Sequence, residues 1–177
     1  DNADKVVAMR GGVMKERGVG EPAKLSTDVG PVIDEPSKKF LVEHSARMDR
    51  EAKKISELKL SAEAANGTFF APRAYEIPSL DLLTQEVFGP VLHVVRFRRE
   101  QIGEIVDQVN ATGYGLTLGV HSRIDEKIEF VTSRARAGNL YVNRNMIGAV
   151  GGVQPFGGEG VSGTGPQAGG PLALRRR

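Results

Sequence analysis

Cysteine and tryptophan are both absent from the 177 residues of this chain. The lack of cysteine excludes disulfide bonds, thiolate metal sites and catalysis by a thiol within these residues. Aromatic residues make up only 6% of the sequence, and none of them is interleaved with the one tight basic cluster, the three arginines at 175–177. This distribution argues against a nucleic-acid-binding surface, although the basic pI of about 9.0 keeps that reading as an alternative.

Long hydrophobic runs are also missing. No apolar stretch approaches the ~20 residues that a membrane-spanning helix needs, and the N-terminal residues lack the pattern of a signal peptide. We therefore expect a cytoplasmic protein without a membrane span. The first residue is Asp1 rather than methionine, which we interpret as a chain that begins inside a longer protein. With 40% hydrophobic residues, a single domain with one core is expected.

The first half of the chain contains two predicted helices separated by a polar, turn-like segment at residues 25–34. The first helix covers residues 3–18, although Gly11 and Gly12 weaken it. The second covers residues 36–54, because apolar side chains recur there at helical spacing. Its expected buried stripe comprises Phe40, Leu41, His44, Met48 and Ala52. Short strands are predicted at residues 55–60, 68–70 and 74–77.

The second half alternates strands with helices, which is typical of an α/β fold with a parallel sheet. Strands are predicted at residues 91–97, 116–120 and 139–142. Between them, helical stripes are formed by Ile102, Ile105, Val106 and Val109, and then by Ile124, Ile128, Val131 and Ala135. Ligands of such sheets gather beyond the carboxyl ends of the strands. The loop from Asn143 onward is therefore predicted to face a site.

Glycine is concentrated in that loop, between Gly148 and Gly170. Glycine at this density suits a backbone that approaches a ligand, and a flexible linker is the alternative. Phe156, which follows Pro155, favours an ordered loop. Residues 158–163 match G-x-G-x-x-G formally, but no helix can follow them, so we reject a dinucleotide fingerprint.

Side chains that could carry chemistry are scattered. His44, His93 and His121 fall on different predicted elements without metal-ligand spacing, so no metal site is predicted. Ser162 lacks the setting of a nucleophile elbow. The residues alone therefore predict no catalytic group.

Two motifs carry a resemblance to a known family. Residues 86–91 (EVFGPV) resemble the E-x-F-G-P-V motif of the aldehyde dehydrogenase superfamily. Residues 155–158 (PFGG), followed by Ser162 and Gly163, resemble its PFGG loop. The segments 110–117 and 138–144 look like the glutamate-γ-semialdehyde (1-pyrroline-5-carboxylate) dehydrogenase branch, and most of all like the dehydrogenase module of the bifunctional proline utilization A family.

The resemblance implies a role for five residues. Glu86 is expected to bind the nicotinamide ribose hydroxyls of NAD, and Phe88 to pack near the nicotinamide. Gly148 and Ala149 are expected to bind the α-carboxylate of L-glutamate γ-semialdehyde through their amides, and Phe156 to pack on its aliphatic part. No catalytic residue and no metal ligand are carried over.

The implied fold is an incomplete portion of the three-layer, parallel-sheet catalytic domain. Residues 1–170 are expected to form the C-terminal part of that domain, and residues 171–177 to begin an oligomerisation strand. The catalytic cysteine, the glutamate that activates water and the dinucleotide-binding region all precede the matching region in the family. This chain is therefore not expected to be active alone.

The resemblance also implies partners: the remainder of the dehydrogenase chain, a fused proline dehydrogenase, and further copies in a homo-oligomer. The alternative is a non-catalytic structural module of the same family, or the product of a degenerate gene. The intact Glu86 and the Gly148–Ala149 pair argue against that alternative, because a purely structural module does not need them.

Overall fold

The structure is a computed structural model that describes residues 2–147, 149 and 155–165. The chain divides into two compact units, Asp1–Arg96 (unit 1) and Phe97–Arg177 (unit 2). This differs from the single domain with one core that length and composition predicted. Both units combine helices with strands, as predicted for an α/β chain.

Unit 1 contains two helices and a three-stranded sheet. The elements are α1 (Ala3–Lys15), α2 (Glu35–Glu51), β1 (Lys53–Glu57), β2 (Arg73–Ile77) and β3 (Val91–Val95). The strand order is β1-β2-β3, with β1 antiparallel and β3 parallel to β2. The parallel register aligns Arg73 with Val91 and Ile77 with Val95.

Helix α2 contributes more buried side chains than any other helix or strand described in unit 1. It begins after Asp34, whose carboxylate accepts a hydrogen bond from the Ser37 amide at 2.8 Å. Hydrogen bonds from Ser37 hold the pKa of Asp34 below its usual value. The helix buries Leu41, His44 and Met48, three of the five predicted stripe residues. Each fully buried Leu or Met contributes about 2–3 kcal/mol, so this face anchors the helix on the sheet.

The core of unit 1 lies between α2 and the sheet. Met48, Tyr75 and Ile77 form it, and Leu82 and Leu83 pack against it. The Tyr75 hydroxyl donates to the Asp49 carboxylate at 2.8 Å, so this buried side chain has a partner for its polar atom. Burial and this carboxylate raise the pKa of Tyr75.

The first strand of the predicted strand-helix series, at residues 91–97, is β3 (Val91–Val95), which pairs with β2 in unit 1 and not with the later strands of the series. Unit 2 contains the rest of that series. Its elements are α3 (Ile102–Ala111), β4 (Tyr114–Gly115), β5 (Thr117–Val120), α4 (Asp125–Thr132), β6 (Asn139–Val142) and β7 (Glu159–Gly160). Strands β5 and β6 are parallel and are joined through α4, which confirms the predicted strand-helix-strand unit. A second pair, β4 and β7, is antiparallel and short.

Several expectations differ from the structure. Residues 68–70 form no strand, because Thr68 instead exchanges hydrogen bonds with Val32 through its carbonyl and hydroxyl groups. Helix α1 ends at Lys15, three residues before the predicted end. The predicted boundary at residue 170 and the predicted terminal strand lie outside the described residues.

Among the described residues, no helix combines the length and the hydrophobicity that crossing a membrane requires.

Two of the three histidines meet, although the sequence placed them on unrelated elements. The Nε2 atoms of His44 on α2 and His93 on β3 are 2.9 Å apart, and the rings meet edge to face. Burial, the neighbouring His44 and Arg47 lower the pKa of His93 to about 4. Burial also lowers the pKa of His44. The pair is therefore neutral near pH 7, with one ring donating and the other accepting.

This pair predicts that acid destabilises unit 1. An unfolded histidine titrates near pH 6.5, whereas folded His93 titrates near 4, so the unfolded state binds more protons in between. The free energy of unfolding should fall as pH drops from about 7 to about 4, by on the order of 3 kcal/mol from this group. Urea unfolding at a series of pH values measures it. Replacing His93 with Phe should reduce the pH dependence, whereas replacing the exposed His121 with Gln should not.

Candidate functional site

The loop that carries Glu86 and Phe88 is fixed at both ends within unit 1. It leaves a short 3-10 helix, Leu80–Leu82, whose last carbonyl accepts a hydrogen bond from the Arg47 guanidinium at 3.0 Å. It ends where the Pro90 carbonyl accepts from the Arg73 amide at 3.0 Å, directly before β3. The loop is therefore tied to α2 on one side and to β2 on the other.

Gly89 allows this loop to lie against α2. A Cβ atom at this position would lie 2.5 Å from Cδ1 of Leu41, whose side chain is fully buried. Leu41 has little freedom to move aside in a close-packed core. A side chain larger than hydrogen is therefore disfavoured at Gly89, which accounts physically for the glycine of the E-x-F-G-P-V motif.

The two predicted binding residues of this loop point their side chains away from the core. Glu86 is exposed, and the ring of Phe88 is 80% exposed. An aromatic side chain so exposed, next to the anchored Gly89 and Pro90, is unusual for a residue that serves packing within its own unit. Both side chains are accessible to a ligand or to another part of a protein.

In unit 2, the carboxyl ends of β5 and β6 lie side by side because the two strands are parallel. The Asn143 amide, just after β6, donates to the Val120 carbonyl at the end of β5 at 2.8 Å. The Asn143 side chain accepts from the Ser122 amide at 3.0 Å and donates to the Ser122 carbonyl at 2.9 Å. Asn143 has φ of 55°, a left-handed conformation that asparagine tolerates better than most residues. This arrangement fixes the start of the loop that was predicted to face a site.

The glycine-rich segment is ordered where it is described, at residues 155–165. The Gly165 amide donates to the Gly158 carbonyl at 2.7 Å, and the Ser162 hydroxyl accepts from the Gly115 amide at 3.1 Å. The carbonyl of Gly157 lies so close to Gly138 that a Cβ atom at Gly138 would overlap its oxygen. Residues 155–165 therefore form an ordered loop.

The predicted site residues fall into both units. Glu86 and Phe88 share one loop of unit 1. In unit 2, Ala149 is exposed and outside any helix or strand, and Phe156 is half-buried at the start of the ordered loop. Gly148 lies outside the described residues.

Three asparagines of unit 2 were missed by the sequence analysis as positioning residues. Asn110 donates to the Arg134 carbonyl at 2.9 Å and accepts from the Arg136 amide at 2.8 Å, which ties α3 to the segment after α4. Asn139 is buried and donates to two carbonyls, and Asn143 binds Ser122 as described. All three lie in residues 110–117 and 138–144, the segments that resemble the semialdehyde dehydrogenase branch. That resemblance was the signal that could have pointed to them.

Within the described parts of the chain, no group of three or more His, Asp or Glu side chains could hold a metal ion.

The contact between Gly138 and Gly157 predicts a large effect of a small substitution. Replacing Gly138 with Ala should lower the free energy of unfolding of unit 2 by about 2 kcal/mol or more, because the clash is with backbone and no rotamer relieves it. Urea unfolding followed by circular dichroism measures this loss. The matched control is Gly103→Ala in α3, where the added Cβ would meet Phe130 at an ordinary 3.6 Å. Equal stability of the two variants would contradict the packing described.

Comparisons with known proteins agree with both motifs. The model of the aldehyde dehydrogenase family matches residues 1–176. The chain is 53% identical to bifunctional protein PutA of Klebsiella aerogenes over 179 aligned residues, covering 98% of this chain and 14% of that protein. It is 34% identical to 1-pyrroline-5-carboxylate dehydrogenase of Geobacillus kaustophilus, covering 97% of this chain and 33% of that protein.

Solved structures give the same result. A crystal structure of a point mutant of proline utilization A from Bradyrhizobium japonicum superposes with a TM-score of 0.92 at 51% identity, covering 99% of this chain and 18% of the other. Proline utilization A of Bdellovibrio bacteriovorus superposes with a TM-score of 0.89 at 30% identity, again over 99% of this chain and 18% of the other. The chain thus spans about one seventh of the PutA protein it matches and one third of the 1-pyrroline-5-carboxylate dehydrogenase. Matched along nearly its whole length by sequence and by fold, the chain belongs to the aldehyde dehydrogenase family.

Proposed function

We propose that this chain is the C-terminal portion of an NAD-dependent dehydrogenase that oxidises L-glutamate γ-semialdehyde to L-glutamate in proline catabolism. The observation that carries the proposal is the match over 97–98% of the chain to proteins named for 1-pyrroline-5-carboxylate oxidation and proline utilization. The accessible pair Glu86 and Phe88, on a loop fixed at both ends, supports a binding role for the same motif.

The residues present fit a nicotinamide cofactor. The exposed Glu86 carboxylate has two oxygens, so it can accept hydrogen bonds from both hydroxyls of a ribose. The exposed ring of Phe88 provides an apolar face for the nicotinamide. When bound, NAD supplies the hydride acceptor of the oxidation. Enzymes of this family are generally NAD(P)-dependent, and we propose NAD for this one.

The substrate contacts proposed for unit 2 suit an amino acid with an aldehyde on its side chain. Adjacent backbone amides, as at Gly148 and Ala149, bind a carboxylate when they point into a common concavity. Phe156 would pack on the methylene groups between that carboxylate and the aldehyde. The ordered loop after Phe156 supports this role, because a fixed ring excludes water from the aliphatic part of the substrate.

In this proposal the chain binds and orients NAD and the semialdehyde but supplies no nucleophile. It contains no cysteine, so the thiol that attacks the aldehyde belongs to the remainder of the dehydrogenase chain. A fused proline dehydrogenase and a homo-oligomer are further partners proposed for the complete protein, by analogy with the bifunctional relatives.

The absence of a thiol predicts that the 177-residue chain alone has no activity. Incubation with NAD and L-glutamate γ-semialdehyde should produce no NADH above the background without protein, measured as absorbance at the NADH maximum. Sustained NADH production by the purified chain would refute the proposal that the nucleophile lies in another part of the dehydrogenase.

In the complete dehydrogenase, replacing Glu86 with Gln should raise KM for NAD about tenfold, because a neutral amide replaces a charge-assisted acceptor. Steady-state kinetics with varied NAD measures the change. The control is Glu100→Gln, an exposed carboxylate in a short 3-10 helix of unit 2, which should leave KM unchanged. A wild-type KM in the Glu86 variant would favour the non-catalytic structural module instead.

A further inference from the structure

Asn139 occupies an unusual position for a polar side chain. It is the first residue of β6 and only 7% exposed. Its side-chain nitrogen donates to the Leu116 carbonyl at 3.0 Å and to the Gly157 carbonyl at 2.8 Å. Both hydrogens of the carboxamide are therefore used, and each acceptor belongs to a different backbone segment.

No other side chain of similar size could make both bonds from one buried atom. Aspartate has no donor when ionised, serine and threonine have one hydroxyl hydrogen, and leucine has none. Without Asn139, the Gly157 carbonyl would lose the hydrogen-bond donor that β6 provides. A part-buried carbonyl that loses its donor costs stability, so the loop would move to find another donor.

The bond to Gly157 acts on the residue next to it. Phe156 precedes Gly157 directly, and the planar peptide fixes the distance between their Cα atoms at about 3.8 Å. Further anchors of the loop lie at Gly158, Ser162 and Gly165, and the backbone of Phe156 itself takes part in an isolated β-bridge. Asn139 adds a side-chain anchor at the residue directly after Phe156.

We propose that Asn139 is a positioning residue that sets substrate specificity by holding the Phe156 ring in place through the Gly157 carbonyl. The inference rests on the proposed function, in which Phe156 packs on the aliphatic carbons of the semialdehyde. It adds a residue that touches neither substrate nor cofactor. A carboxamide that fixes the ring would favour an aldehyde whose methylene chain reaches Phe156 over a shorter aldehyde.

The first measurement tests the positioning without any activity. Deuterium uptake of the 177-residue chain is followed by mass spectrometry in peptides that cover residues 155–165. Asn139→Asp keeps the shape of the side chain but removes both donors and adds a buried charge, so Asn139→Leu, which adds no charge, is measured beside it; uptake in this loop should become about tenfold faster in both variants, with peptides of α3 in the same unit unchanged. Peptides of α2 in unit 1 should be unchanged. The matched control, the exposed Asn66→Asp, should behave like the parent chain.

The second measurement uses the complete dehydrogenase. Asn139→Asp should raise KM for the semialdehyde about five- to tenfold, with kcat and KM for NAD changed less than about twofold. The loss of kcat/KM should be larger for the semialdehyde than for acetaldehyde, which is too short to reach Phe156. A merely structural role would lower kcat/KM equally for the semialdehyde and for acetaldehyde. Phe156→Ala serves as the reference for loss of the ring.

The outcomes separate the inference from the function on which it rests. Unchanged uptake in Asn139→Asp overturns the positioning role. Faster uptake with unchanged KM also overturns it, provided that Phe156→Ala raises KM, and the proposed function then stands. If Phe156→Ala leaves KM unchanged, the substrate role of Phe156 fails first, and the specificity role of Asn139 fails with it.

Discussion

The architecture of unit 2 depends on side-chain amides that bind backbone groups beside and beyond its short strand pairs. Asn110 ties α3 to the segment after α4, Asn139 ties β6 to the glycine-rich loop, and Asn143 ties the ends of β5 and β6 together. Each carboxamide offers both donors and an acceptor on a short side chain, so it can satisfy backbone groups that regular structure leaves unpaired. Where these bonds are made, the backbone approaches so closely that only glycine fits on the facing side, as at Gly138.

That constraint explains why the described part of the glycine-rich segment, residues 155–165, is an ordered loop. Composition alone left order and flexibility about equally supported, because glycine permits both. The deciding feature is the set of partners on β4 to β6, which includes the Gly115 amide and the Asn139 carboxamide. The glycines allow the close approach, and the asparagine and serine side chains then hold it. Phe156 lies next to such an anchor. Its position is therefore defined before a ligand binds, so binding would cost little conformational entropy there.

Periodicity predicted the regular elements well. The α2 stripe and the β5-α4-β6 unit follow from the spacing of apolar residues, which reflects burial on one face. The spacing of apolar residues did not predict that β3 pairs with β2. The predicted strand-helix series began at β3, so nothing in it indicated an earlier strand as a partner. The contact of His44 with His93 was equally hidden, since sequence spacing does not show which residues of a helix and a distant strand will meet. Glu86 and Phe88 were identified by resemblance, and geometry adds that both are accessible.

The functional account assigns binding, not bond making, to this part of the protein. A loop locked on Leu41 presents a carboxylate and a ring, and an asparagine-anchored loop presents Phe156. The most direct test is a crystal structure of the complete protein with NAD and the product L-glutamate. The account predicts Glu86 carboxylate oxygens at about 3 Å from the nicotinamide ribose hydroxyls, and the glutamate α-carboxylate on the Gly148 and Ala149 amides. A cofactor bound with Glu86 in solvent, or glutamate held away from those amides, would contradict it.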